Sequence, residues 1–445
     1  MKLYLLFSRV SVNYGIRIIS FLIFFLVLLS CEDEKSGPEY PKFTASFINN
    51  WLSEDAGEGI LFISDMDGNY LGGHTWSGDA TFDVYPNTDK NFPDKIWVTT
   101  VTSSGNYIFI TSNISVTPSD WTWKGYPQSP DYLGDATLSF NNIPNDSRRY
   151  YLTSQWYSRA GYSDYLNSPF YYPLRENSSQ IYFSLIDYDN NSGYYQSLEN
   201  VTVNSNHTVD YDSMLTLNSK SIGLPASNYN TYLSLYGYSS AGDYYSGQYR
   251  LHYYYYEDNI NDIAAYYPDN IPEFRTFMRV SNNDYSTIWY NSVYGDIPDS
   301  FEEIDGFIQV EDSNPANFSV ETIGNFDEII SRWDFVDDSL YYRWSVYGPS
   351  DLFEYMLPQL PPLLTSKYGN ISRSDFEVQQ TEIIDQLHLD SYEEIINTLF
   401  KTDEYFYNAT NGGGYRIRIE SYDSEFRSLD RNNFSEQMMN DGQYH

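Results

Sequence analysis

One cysteine, Cys31, serves all 445 residues, which excludes a disulfide framework and zinc sites built from thiolates. Histidine is scarce as well. His74, His207, His252, His388 and His445 include no pair at metal-ligand spacing and no His-Glu-x-x-His, so a zinc or iron site has no local framework. No Gly-x-x-x-x-Gly-Lys is present to cradle phosphate. The nearest approach to a serine-nucleophile turn, Gly237-Tyr238-Ser239-Ser240-Ala241-Gly242, has the wrong spacing. Positive charge is the third shortage: 25 Lys+Arg face 61 Asp+Glu, a formal net charge of −36. Phosphate backbones and anionic lipid surfaces need the opposite sign, so nucleic acid is excluded as a partner and so is a peripheral electrostatic grip on a membrane. No cofactor is expected.

Long apolar runs are also missing. The longest, Ile18 to Leu29, is broken by Ser20 and falls well short of the roughly 20 residues that a membrane-crossing helix needs. Preceded by Lys2, Arg9 and Arg17 and closed by Ser30-Cys31, it has the form of a secretion signal. Leu28-Leu29-Ser30-Cys31 resembles the bacterial lipoprotein box, in which cleavage falls just before a lipid-bearing cysteine. The acidic triplet Glu32-Asp33-Glu34 resembles the export tag of Bacteroidota-type surface lipoproteins. The resemblance implies a signal peptide over 1–30, lipid attachment at Cys31, an acidic tether over 31–40, and an outer-membrane location facing the cell exterior.

What the chain has in quantity is aromatic and turn-forming residues: 47 Tyr, 26 Phe and 9 Trp, with 26 Gly and 19 Pro. Tyr, Phe, Thr, Val and Ile form strands, while Asn, Asp, Ser, Gly and Pro punctuate turns. From Pro41 onward short apolar runs alternate with turn signals. Gly59 to Ser64, Asp65-Met66-Asp67-Gly68-Asn69 and Tyr70-Leu71 read as a strand, an Asp-Gly turn and a returning strand. Ala80 to Tyr85 and Ile96 to Thr102 alternate with period two, and Asn106 to Val116 follows. The phrase Asp65 to Leu71, with Phe82 to Tyr85, resembles the opening of transthyretin-like or carboxypeptidase-regulatory-like sandwich modules.

Two internal echoes point to repetition. Asn113-Ile114-Ser115-Val116 to Trp123 is answered by Asn200-Val201-Thr202-Val203 to Asp210, and Tyr151-Leu152, Tyr157-Ser158 and Ala160-Gly161 by Tyr232-Leu233, Tyr238-Ser239 and Ala241-Gly242. The expected fold is all-β: tandem antiparallel β-sandwich modules at 41–126, 127–212 and 213–310, then a C-terminal β-rich module at 311–422 carrying one α-helix, and a polar tail at 423–445. Inside the third module, Asp258 to Tyr267 suggests a helical turn or two before Pro268. In the fourth, Leu340, Tyr342, Trp344 and Val346 alternate with polar neighbours as a two-faced strand. Leu357 to Leu364, rich in Pro, reads as a stiff connection outside any helix. Ser391-Tyr392-Glu393-Glu394 reads as a capping box opening a helix with Ile395, Ile396, Leu399 and Phe400 on one face.

Two constellations carry candidate chemistry. Asp187, Asp189 and Asn191 place oxygens at the first, third and fifth positions of a loop, as calcium prefers, although Gly193 and Glu199 each fall one place late and turn chemistry explains the same residues. Tyr253, Tyr254, Tyr255 and Tyr256 put rings on both faces of one strand. Flat rings beside polar side chains stack on sugar faces, and cross-strand aromatic pairing is the competing use. The expectation is a lipid-anchored cell-surface protein with a non-catalytic binding or adhesion role, with glycan or a surface protein as partner. A structural spacer or complex subunit is the alternative, and a hydrolase whose distant acids converge is the third reading.

Overall fold

The computed structural model describes residues 42–421 apart from 53–56, 88–90, 126–129, 167–168, 225–229, 243, 245–247, 257–260, 283–285, 305, 338 and 403–413. The chain lays down strands in four sets. The first is β1 (Phe43–Ile48), β2 (Gly59–Ser64), β3 (Tyr70–Trp76), β4 (Ala80–Val84), β5 (Ile96–Ser104), β6 (Tyr107–Val116) and β7 (Trp121–Lys124). The second is β8 (Gly134–Asn141), β9 (Arg149–Thr153), β10 (Ser158–Tyr162), β11 (Phe170–Leu174), β12 (Ser179–Asp187), β13 (Ser192–Val201) and β14 (Asn206–Asp210). After the short β15 (Leu215–Thr216), the third is β16 (Asn218–Gly223), β17 (Asn230–Tyr238), β18 (Gln248–Tyr256), β19 (Asp262–Tyr267), β20 (Glu273–Ser281) and β21 (Thr287–Gly295). The fourth is β22 (Gly306–Asp312), β23 (Phe318–Gly324), β24 (Glu328–Val336), β25 (Tyr341–Pro349), β26 (Glu354–Tyr355), β27 (Glu377–Gln386) and β28 (Tyr415–Ser421), with helices α1 (Pro362–Tyr368) and α2 (Tyr392–Lys401) flanking β27.

These sets share one strand order, so the chain is all-β and built of tandem sandwich modules. In the first, β4-β1-β7 faces β3-β2-β5-β6; in the second, β11-β8-β14 faces β10-β9-β12-β13. Both pair the first strand antiparallel with the fourth and parallel with the seventh. The third repeats the pattern with β16-β19 and β18-β17-β20-β21, and a parallel bridge from Gly223 to Ser300 stands where the seventh strand would lie. The fourth has β23-β26 and β25-β24-β27-β28, with β22 added beside β23. Alternating burial supplies the cores. Phe43, Ala45 and Phe47 of β1 meet Leu61, Ile63 and Val98 in the first module, and Ala136, Leu138, Leu152 and Phe183 do the same in the second.

The larger sheets of the first, fourth and third modules join edge to edge into one twelve-stranded sheet. β6 pairs parallel with β25, and β28 pairs antiparallel with β21. The β6–β25 seam is pinned inside the core: Trp344 donates its indole N–H to Ser112 Oγ at 2.8 Å, and Ser112 Oγ meets Thr99 Oγ1 at 2.7 Å. Edge joining removes the unpaired strand edges that otherwise invite aggregation.

Several local readings can be placed. β25 alternates as expected, with Tyr342, Trp344 and Val346 buried. The Asp65 turn closes through Asn69 N–H and Nδ2 donating to the Asp65 carboxylate at 2.8 and 3.0 Å, and Gly68 takes the φ of +76° that the turn demands. α2 begins at Ser391, whose hydroxyl accepts from Glu394 N; the Glu394 carboxylate reaches Asp390 N at 2.9 Å, one residue further back than a capping box requires. Three readings are corrected. Asp262 to Tyr267 is strand β19, because Ile263 and Ala265 are buried against an antiparallel partner, β16. Pro362 opens helix α1, where its missing N–H costs nothing at the first helical position. The turn-forming Asn204, Ser205 and Asn206 suggest a turn at His207, but His207 lies on β14. Among the described residues no helix is long and apolar enough to cross a membrane.

Candidate functional sites

Cys31, Glu32, Asp33 and Glu34 lie outside the described residues. The Asp187 loop is a turn: Asp187 accepts from Asn190 N at 3.0 Å and Asn190 Nδ2 at 2.9 Å, and Arg148 Nε stands 3.4 Å from the same carboxylate. These bonds hold its carboxyl below the usual range, the Asn190 side chain contributing most. Asn191 adopts a φ of +49°, as turn asparagines do. Among the described residues no three His, Cys, Asp or Glu side chains gather as a metal site would require.

The tyrosine-rich strand is β18, at one edge of the twelve-stranded sheet, and the side chains of Tyr254 and Tyr256 lie outside the described set. Tyr253 is wedged between modules. Arg250 stacks over its ring at 4.0 Å from the centroid, Arg149 of β9 lies over it at 5.4 Å, and Tyr151 of β9 meets it edge-on at 5.4 Å. β9 also answers the edge of β18, since Arg250 N donates to Thr153 Oγ1 at 3.1 Å and Tyr151 Oη donates to the Tyr253 carbonyl. Tyr255 is 42% exposed.

Next to Tyr253, His252 is fully buried, its Nε2 2.6 Å from Tyr188 Oη, which in turn stands 3.0 Å from Tyr151 Oη. The Tyr151 proton is committed to the Tyr253 carbonyl, so Tyr188 donates to Tyr151 and His252 Nε2 carries the hydrogen. Its Nδ1 is left without a partner. Burial, reinforced by Arg149, pushes the imidazole down to about 3, so the ring stays neutral and serves as a fixed joint between the second and third modules.

A flatter surface lies at the β6–β25 seam. Tyr107 and Phe109, two residues apart on β6, both turn outward at 52% and 37% exposure, while Ile108 and Ile110 turn into the core. Their rings are nearly parallel, with centroids 6.1 Å apart and planes at 13°. Tyr341, opposite Tyr107 across the seam, stands edge-on at 5.3 Å. Its hydroxyl donates to Asp334 and accepts from Arg343 at 2.9 Å, and Arg343 Nε lies 3.2 Å from the Asp334 carboxylate. Burial pushes the Tyr341 phenol up to about 12. On β5, Thr102 and Ser104 pair with Phe109 and Tyr107 and so share their face. Reading the sequence alone singled out the longest tyrosine run and passed over Tyr107 and Phe109; their alternation with Ile108 and Ile110 was the available signal.

A cavity of about 490 Å³ opens where the first and fourth modules meet under α2, lined among others by Lys95, Asp327, Asp351, Asp390, Tyr392 and Glu393. Half burial pushes the Asp327 carboxyl up to about 6, with Asp385, Asp390 and Glu394 adding to the rise and the N–H of Gln386 opposing it. Beside it Glu328 is buried, and burial, then Glu382 and Asp327, push it up to about 8.

Fold and surfaces together define an all-β protein of repeated sandwich modules with aromatic faces and an acidic cavity. The chain matches no protein-family model, and no curated protein is significantly similar to it.

Proposed function

We propose that the chain is a lipid-anchored cell-surface protein with a non-catalytic binding role, and that it holds glycan on the ring platform of Tyr107 and Phe109. One observation carries this reading: two neighbouring, nearly parallel, exposed rings with hydroxyls and a charged pair at their side. Such rings offer an apolar π-face to the C–H face of a sugar, while Thr102, Ser104 and the Tyr341–Asp334–Arg343 group supply polar contacts for hydroxyls. The anchor rests on the Leu28-to-Cys31 box and the acidic triplet after it. The sandwich kinship suggested by Asp65 to Leu71, transthyretin-like or carboxypeptidase-regulatory-like, is likewise proposed, and the fourfold strand order supports it.

The spacer reading has a specific observation in its favour too. Tyr253, Tyr151 and Tyr188 are spent on the junction between the second and third modules rather than on an exposed surface. A glycan array probed with the chain from Lys35 onward separates the two. Binding that disappears in Tyr107→Ala and in Phe109→Ala supports the platform; a blank array removes it and leaves the spacer.

A further inference from the structure

We propose that the cavity under α2 is a second binding site, for a small polar ligand carrying an ammonium group. At about 490 Å³ it suits a molecule the size of a sugar or amino acid. Its wall comes from five separate stretches: Lys95 before β5, Ser115 to Thr117 at the end of β6, Asn325 to Asp327 before β24, Pro349 to Asp351 at the end of β25, and Asp390 to Lys401 of α2 and its approach. The buried ring of Tyr392 and Ile396 form an apolar floor, and Tyr392 turns its hydroxyl away to the Tyr347 carbonyl at 2.9 Å.

Acids outnumber bases in that wall, with Asp327, Asp351, Asp390 and Glu393 against Lys95 and Lys401. Among the described residues, Asp327 uses one oxygen to accept from Gln386 N at 2.8 Å and the other has no partner. The independent observation lies just behind. Glu328 is 5% exposed, and its side chain makes no hydrogen bond or ion pair among the described residues. Its chain neighbour Asp327 and its cross-strand partner Pro349 both belong to the wall, and its charge acts on Tyr392 in the floor. Burial keeps this carboxyl protonated, and a cation held in the adjoining cavity would favour its ionised form. The acids do not converge as metal ligands. An organic ammonium, which needs only a negative field and acceptors around it, fits where a hard cation does not.

Calorimetric or NMR titration of the full chain with glucosamine, putrescine and glucose tests this. Saturable binding of an ammonium compound with none for glucose is expected; preference for glucosamine over putrescine would identify an amino sugar, and equal binding would identify the ammonium group alone. Asp327→Asn, and Asp351→Asn at the exposed rim, should each weaken binding about tenfold or more with melting behaviour unchanged. Tyr107→Ala should leave it intact, so that this site and the ring platform stand or fall separately. Absence of binding by both amines, equal binding of glucose, or undiminished affinity in both folded aspartate variants would overturn the proposal.

Discussion

Trp344 and Ser112, 232 residues apart in sequence, are joined at 2.8 Å in the seam between β25 and β6. Ser112 accepts that indole N–H and also faces Thr99 Oγ1 at 2.7 Å, with all three residues buried. Ser112→Ala strands two buried polar groups at once. It should cost about 1–3 kcal/mol in chemical denaturation, several times what an exposed Ser→Ala does; a loss no larger than at the surface would show that the seam is not held this way.

Two buried groups set opposing pH dependences. Glu328, raised to about 8 from its ordinary 4.5, is protonated more readily in the folded state, so its contribution is complete below about 4.5 and is lost as pH climbs towards 8. His252, lowered to about 3 from 6.5, contributes fully above about 6.5 and loses that contribution as pH falls. The two slopes oppose each other between about 4.5 and 6.5 and leave a plateau there. Above it, stability should fall by about 1 kcal/mol per pH unit towards 8. Denaturation midpoints measured across this range check it: Glu328→Gln should flatten the alkaline limb, and an unchanged limb would contradict the assignment.

The tyrosine strand divides by role. Tyr253→Ala removes a ring held between Arg149, Arg250 and Tyr151 and should cost about 3 kcal/mol, whereas Tyr255→Ala, at a half-exposed position, should cost under about 1 kcal/mol. Thermal or urea melts of the two variants side by side decide this. Equal costs would remove the distinction between junction and surface.

For the anchor, Cys31→Ser should abolish acylation by metabolically supplied palmitate and release the chain from the membrane fraction. Retained label would refute lipid attachment at this residue.

Much of the strand content was legible because alternation leaves a local mark. Tyr342, Trp344 and Val346 announced β25, and Ser391 announced α2. The echoes were legible for the same reason: Asn113 and Asn200 lie near the end of the sixth strand of their modules, and Tyr151-Leu152 and Tyr232-Leu233 both lie on the second. Long-range pairing leaves no such mark. Nothing local in Tyr341 to Tyr347 says that its partner is Tyr107 to Asn113, so the twelve-stranded sheet and the platform at its seam were hidden. Asp258 to Tyr267 misled because a short apolar run before a proline suits a helix end and an edge strand equally. Asp327 and Glu328 were hidden among 61 acids, since only burial distinguishes them.

The parallel pairing of β6 with β25 also sets an order of events. As the chain is made from its amino end, the first sandwich can close early, yet the outer edge of β6 waits for a partner more than two hundred residues downstream. Until β25 arrives, that edge is open to any other strand, in this chain or a neighbour. Closure over such a separation is slow. Premature chain ends before β25 should therefore leave the β6 edge open and produce sticky intermediates, which makes the seam a late and decisive step in assembly.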